Sequence, residues 1–406
     1  MIKNVTGGVC AAKGFKAAGV HCGIRKNKSK RDLALIISEK RAAAAAVYTT
    51  NLVKGAPIFV TKKNIADGFA SAVICNSGNA NTCNANGVDI AEQMCALTEQ
   101  YTGISKKDVI VASTGVIGQP LDITPIANGM TELVAALSDN GSEAAAEGIM
   151  TTDTKLKEIA VSFTAGGKTC TIGGIAKGSG MIHPNMATML VFMTSDVAID
   201  PELLQAALSE DVKDSFNMVS VDGDTSTNDM CCIMANGMAE NETITCADSA
   251  DFSEFKKALF AVTSYLCRSI AADGEGATRL IEVTVSGADS VTTAKTVAKS
   301  VACSSLLKAA IFGADANWGR VLCAIGYSGA DLDVAKVDVK FVSTAGEIEV
   351  CKNGAGVDFS EEKAKEILLE SEIKILIELN SGNAAATAWG CDLTYDYVKI
   401  NGDYRT

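Results

Sequence analysis

The sequence predicts a mixed α/β protein with helices layered on sheet, and three observations carry that expectation. Short apolar runs such as LALIIS (33–38) and SAVICNSG (71–78) alternate with Gly- and Ala-rich turns, as strands do. Two later stretches switch to the three-to-four-residue spacing of amphipathic helices. DPELLQAAL (200–208) then opens a helix by local chemistry, with Asp200 as N-cap and Pro201 at the first helical position. Strand and helix signals in one chain imply layers of helix on sheet.

Taken in order, the chain up to about residue 80 reads as strands between turns, and AAAAA (42–46) is short enough to be core packing. Asp89 to Tyr101 places Ile90, Met94 and Leu97 on one helical face, and 122–137 does the same with Ile126, Met130, Leu133 and Leu137. Beyond 200–208, helices are expected at 253–271, 296–311 and 360–370, and strands at 157–163, 280–286, 336–343 and 373–379. NSGNA occurs at 76–80 and at 380–384 with unmatched flanks, which reads as recurring turn chemistry and not as a repeat.

With 406 residues the chain is long enough for one large or two ordinary domains. Hydrophobic residues make up 48% and charged ones 21%, as in a globular enzyme, and five prolines leave little material for linkers. A net charge of −12 argues against nucleic acid, whose binding needs clustered basic charge. It suits a cationic small substrate through a mild field effect.

No run approaches the roughly 18 apolar residues of a membrane span. The N-terminal stretch MIKNVTGGVCAAKGFKAAGV lacks the apolar core of a signal peptide. The 14 cysteines form no CxxC pair, which reads as reduced, mostly buried thiols in the cytoplasm. Two histidines, His21 and His183, leave little for a metal site or a Ser/Thr-His-Asp triad. DGDTSTND (222–229) lacks EF-hand spacing and reads as a structural or site-lining loop; Lys177, followed by Gly178, does not fit a P-loop. No metal, nucleotide or other cofactor is expected.

KGSGMIHPNMATML (177–190) is the stretch hardest to explain by packing alone, because dense turn chemistry runs straight into Thr188. A threonine hydroxyl is a weak nucleophile without a base. With two histidines available, the remaining device is the threonine's own α-amine, whose pKa of about 7.7–8.0 suits a general base. That device requires Thr188 to become an N-terminus. The plain reading is a buried threonine at a strand start.

The same stretch resembles the signature of the ornithine acetyltransferase family, the glutamate N-acetyltransferases of arginine biosynthesis. The resemblance extends through GGVCAAKGFKAAGVHCGI (7–24), NSGNANTC (76–83), ASTGVIG (112–118), MTTDT (150–154), SVDGDTSTND (220–229), ADGEGATR (272–279), GADANWGR (313–320) and the ending ATAWGCDLTYDYVKINGDYRT. It implies a self-processing enzyme of two-part α/β architecture with an N-terminal nucleophile. The chain would cut itself between Ala187 and Thr188, leaving an α chain (1–187) and a β chain (188–406) that stay together as a heterotetramer of two α and two β. Thr188 would be the nucleophile, and Thr114 and Gly115 the oxyanion hole. Thr151, Lys177, Thr188, Glu275, Asn401 and Thr406 would contact substrate.

The chemistry of those residue types agrees with the implied roles. A threonine hydroxyl and a glycine N–H can both reach a developing oxyanion, each worth about 3–4 kcal/mol of barrier. Lys177 could pair with a carboxylate and Glu275 with a cationic amine; the plain readings are a solvated charge and a loop carboxylate. The polar, aromatic tail makes more sense docked over a site than frayed. The implied reaction moves an acetyl group from N2-acetylornithine to glutamate by way of acetyl-Thr188. Some members of that family also take acetyl-CoA, and no residue here decides between the two cases. Two rival classes are weighed: a self-cutting aminopeptidase or amidohydrolase, disfavoured by the match of Lys177, Glu275 and Asn401–Thr406 to the acetyltransferases, and a thiol-rich binding or redox protein, disfavoured by the missing CxxC spacing.

Overall fold

The apolar run at 33–38 opens a strand that continues through the five alanines to Tyr48. The computed structural model describes residues 2–183 and 189–402. Its first half contains β1 (Lys3–Val5), β2 (Phe15–Val20), β3 (Leu33–Tyr48), α1 (Ala56–Asn64), β4 (Phe69–Asn79), α2 (Gly87–Thr102) and β5 (Val109–Val116). Helices α3 (Thr124–Ala135) and α4 (Ser142–Ile149) and strands β6 (Lys157–Ala165) and β7 (Lys168–Lys177) complete it. Then come β8 (Leu190–Ser195), α5 (Pro201–Asp211), β9 (Val219–Ser220), β10 (Met230–Ala235) and α6 (Ala250–Ala272). The last part holds β11 (Leu280–Ala288), α7 (Val291–Cys303), α8 (Ser305–Phe312), α9 (Trp318–Gly326), β12 (Asp338–Ser343) and β13 (Gly346–Lys352). It closes with β14 (Ala355–Gly356), α10 (Glu361–Leu368), β15 (Glu372–Glu378), β16 (Ala384–Cys391) and α11 (Tyr395–Gly402).

These elements form two compact units. The first comprises the described residues of Met1–Gly178, Asn185–Phe216 and Thr225–Leu266; the second those of Ser179–Pro184, Asn217–Asp224 and Cys267–Thr406. The units therefore do not follow the expected fragment boundary at 187/188.

In the first unit the strands run β1-β6-β7-β8-β10-β3-β4-β5, with β2 also on β3. The register of β3 on β4 slips between Ile37 and Ala42. Residues from both halves of β3 (Ala34, Ile36, Ala42, Ala44, Ala46) nevertheless share one core cluster with β4, β8, β10 and α4. Both faces of the sheet are covered. Alternate positions of β3 and β4 (Leu33, Leu35, Ala72, Ile74) face a second cluster built with Ile90, Met94, Ile126, Met130 and Leu133 of α2 and α3. Those are the faces expected from the sequence, with Leu97 and Leu137 partly buried at the margin. Asp200 caps α5 as expected, accepting from the N–H groups of Glu202 and Leu203.

The second unit is a seven-stranded sheet, β14-β13-β12-β15-β11-β16-β9. Against it α7 buries Ala294, Val297, Ala298 and Val301, one helical stripe. The single helix expected at 296–311 is a correction: α7 starts earlier and ends at Cys303, and α8 begins at Ser305. Ser304, extended at φ −64° and ψ 108°, breaks the run and caps α8 by accepting from Leu307 N–H. None of the 14 cysteines is disulfide-bonded, and Cys75, Cys95, Cys170, Cys231, Cys232, Cys267, Cys351 and Cys391 are buried. Among the described residues no helix is long and apolar enough to cross a membrane.

Candidate active site

In the first unit, Thr114 and Gly115 lie at the end of β5, where its register on β4 breaks: Gly115 pairs with Gly78, and Asn79 faces both Thr114 and Val116. Gly115 has φ +135°, and a Cβ there would stand 2.5 Å from the Asn79 nitrogen and closer still to the Gly78 carbonyl carbon. No other residue fits, because both conformation and space exclude a side chain. Polar side chains hold this crossing in place. Asn228 donates through Nδ2 to the carbonyls of Ala80 (2.6 Å) and Ser113 (3.0 Å). Its Oδ1 accepts from the hydroxyls of Thr82 and Thr227, both at 2.6 Å. Ser113 Oγ donates to Asn76 Oδ1 at 2.6 Å. One amide thus ties the ends of β4 and β5 together using both of its polar atoms. Thr114 is buried at this crossing.

Lys177 ends β7 and is paired across the sheet with Leu190, the first residue of β8. It is buried, as is Asp153. The Asp153 carboxylate accepts from Gly178 N–H (2.7 Å) and Lys157 Nζ (2.7 Å) on one oxygen, and from Thr151 N–H (3.0 Å) on the other. Burial works to raise the Asp153 pKa, but the charges of Lys177 and Lys157 outweigh it and hold the carboxyl well below the usual range. Thr151 is half-buried beside it.

Cross-links join this cluster to the β4–β5 crossing. Ser77 Oγ donates to the Gly148 carbonyl at 2.8 Å, and the Arg25 guanidinium donates to the Met150 carbonyl while its stem packs against Gly78. The Lys177 charge also acts on the buried Cys75 thiol of β4. The first unit therefore brings Thr114, Gly115, Thr151 and Lys177 into one region.

Glu275 and Asn401 belong to the second unit. Glu275 is buried; its N–H donates to Ser179 O at 2.8 Å, and its Oε2 accepts from Asn401 Nδ2 at 2.8 Å. A Cβ on Gly180 would stand 2.5 Å from Glu275 Oε1, so the carboxylate rests on that glycine. Asn401 lies on α11, exposed, with its Nδ2 also reaching Tyr397 O. His183 Nδ1 sits 3.1 Å from Ser220 Oγ and 3.5 Å from Cys303 Sγ. Burial, aided by Lys299, pushes its pKa down to about 4, so the ring is neutral at pH 7. Ala187, Thr188 and Thr406 lie outside the described residues.

Sequence reasoning passed over Asp153, Asn228 and Asp222, although all three stand inside stretches it singled out. MTTDT and SVDGDTSTND were read for threonines and for metal spacing; their carboxylates and amide instead bind backbone groups far away in the chain.

Comparison with known proteins agrees over nearly the whole chain. The ArgJ family model matches residues 16–406. The arginine biosynthesis bifunctional protein ArgJ of Caldanaerobacter subterraneus subsp. tengcongensis is 50% identical over 395 residues, 97% of each chain. Its namesake from Bacillus subtilis is 48% identical over 407 residues, covering 100% of this chain and 98% of the relative. A crystal structure of the arginine biosynthesis bifunctional protein ArgJ from Bacillus halodurans matches at 49% identity and a TM-score of 0.50, over 52% of this chain and 97% of that one. The chain belongs to the ArgJ family of arginine-biosynthesis enzymes.

Proposed function

We propose that this chain cuts itself between Ala187 and Thr188 and then moves an acetyl group from N2-acetylornithine to glutamate through an acetyl-Thr188 ester. The observation that carries the reading is the placement of β8. The strand that begins at Leu190, just beyond Thr188, pairs with β7 on one side and β10 on the other. Its first residue, Leu190, lies opposite Lys177, in the region that also holds Thr114 and Gly115. A chain broken before such a strand keeps its sheet hydrogen bonds on both sides, which supports α and β fragments that stay associated. The solved Bacillus halodurans chain, matched over 97% of its length by only 52% of this one, fits polypeptides of about half length.

In the cut, Thr188 Oγ attacks the Ala187 carbonyl carbon, the C–N bond breaks, and the hydroxyl proton passes to the departing nitrogen. Water then hydrolyses the resulting ester, giving the Ala187 carboxylate and the free Thr188 hydroxyl and α-amine. In transfer, that amine takes the hydroxyl proton as Oγ attacks the acetyl carbonyl. Thr114 Oγ and the Gly115 N–H receive the oxyanion; ornithine leaves with the proton; glutamate enters and reverses the steps, a ping-pong cycle. Lys177 takes a substrate carboxylate and Glu275, oriented by Asn401, a cationic amine. The roles of Thr151 and Thr406 as substrate contacts, acetyl-CoA as a second donor, and a heterotetramer of two α and two β chains belong to the same reading.

The test is to incubate the enzyme with acetylornithine alone and take the denatured mass. One added acetyl group on the fragment beginning at Thr188, removed by glutamate with formation of acetylglutamate, is the expected result. Acetylglutamate formed without any acetyl-enzyme under rapid quench would contradict the covalent route.

A further inference from the structure

Five residues upstream of the expected cut, the chain of the second unit is fixed residue by residue. Ser179 O accepts from Glu275 N–H at 2.8 Å, and Ile182 O accepts from Val221 N–H at 2.7 Å. Between these points Met181 stands at φ 57°, the left-handed region that an unbranched non-glycine residue occupies at a cost. Both N–H groups of that turn point at one carboxylate: Met181 N–H reaches Asp222 Oδ2 at 2.6 Å and Ile182 N–H reaches Asp222 Oδ1 at 2.8 Å. The anchor is itself held, since Tyr397 of α11 donates its hydroxyl to Asp222 Oδ2 at 3.3 Å. Lys299 and Lys308 engage the backbone carbonyls of Asn217, Val219 and Val221 just before it.

A carboxylate accepting two successive N–H groups is a charge-assisted clamp on a single backbone conformation. Ile182 is buried while Met181 is exposed, so the left-handed Met181 conformation is not itself held by burial of the Met181 side chain. We infer that Asp222 is a positioning residue for self-cleavage, holding the left-handed Met181 turn so that the chain enters the Ala187–Thr188 segment in one direction. Tyr397 supports it from the C-terminal helix, which ties processing to completion of the second unit. The inference rests on the self-cleavage proposed above and adds the device that aims the bond.

The experiment is a cell-free translation time course of the full chain, scoring intact polypeptide against fragments on denaturing gels. Wild type, Thr188→Ala, Asp222→Ala, Asp222→Asn and Tyr397→Phe are compared, with Ile375→Val in β15 as a control that loosens the second unit's core away from the turn. Thermal midpoints are read on the same set. The inference expects Asp222→Ala to cut at least about tenfold more slowly than wild type, Asp222→Asn to fall between them because it keeps one acceptor oxygen, and Tyr397→Phe to slow about twofold. Ile375→Val should cut at the wild-type rate. Asp222→Ala cutting at the wild-type rate would overturn the inference while leaving self-cleavage intact. So would an equal slowing by Ile375→Val at the same loss of thermal midpoint, which would make the effect one of general stability. A wild type that stays whole would overturn self-cleavage and the clamp together.

Discussion

The first unit fixes its candidate residues by sheet register, one amide and one buried carboxylate, whereas the second carries its own on loops. Thr114 and Gly115 owe their places to β4, β5 and the Asn228 amide, and Lys177 to the pairing of β7 with β8. Glu275 and Asp222 lie outside regular strands: Glu275 makes one hydrogen bond to Ser179 and one to α11, and Asp222 accepts two from the Met181 turn and one from α11. The contrast separates two tasks. A group that stabilises a developing charge must not move, and a sheet core supplies that rigidity. On the function proposed above, a group that binds a flexible cationic chain works from a loop that can settle around it.

The contrast is broken hardest at Gly115. Gly115→Ala forces a Cβ against Gly78 and Asn79 at a disfavoured φ, so the N–H must shift. Transfer should fall on the order of 10²–10³-fold, the usual cost of one oxyanion donor. Activity within a few-fold of wild type would remove Gly115 from the oxyanion hole.

Next comes the buried carboxylate of the first unit. Asp153→Asn leaves Lys157, 1% exposed, without its anionic partner, and should cost about 3–5 kcal/mol by denaturant unfolding. The pH dependence has a fixed sign. The folded Asp153 pKa lies below its unfolded value, so its stabilisation is complete above about pH 4 and is lost as pH falls through the folded value. The gap between wild type and variant should therefore narrow below about pH 4. A gap independent of pH would show that the carboxylate's charge is not what matters.

The smallest effect belongs to the second unit. Asn401→Ala removes one donor to Glu275 from an exposed helix end, so KM for acetylornithine should rise several-fold, equivalent to about 1 kcal/mol, with stability unchanged. A larger loss, falling on kcat instead, would place Asn401 nearer the chemistry than the comparison of the two units allows.

Much of the fold was legible because its signals are local. The Asp200–Pro201 start of α5 and the apolar faces of α2 and α3 follow from spacing within one or two turns. The division of α7 from α8 was also written locally, in the capping chemistry of Ser304, but the continuous apolar pattern hid it. The length of β3 was obscured because alanine is a strong helix former and is depleted in strands; pairing with β10 overrides that local preference. Within the site, ASTGVIG and KGSGMIHPNMATML were legible as motifs. Asn228 was not: its carbonyl partners, Ala80 and Ser113, lie 148 and 115 residues away, and no periodicity encodes such a bond.

The central claim is that this chain makes its own nucleophile. The most direct measurement is the denatured mass of purified wild type beside Thr188→Ala. Two wild-type fragments, one ending at Ala187 and one beginning at Thr188, with a single intact variant chain, is the predicted result. A wild type that remains one polypeptide while catalysing acetyl transfer would contradict it, because Thr188 would then have no α-amine to act as base.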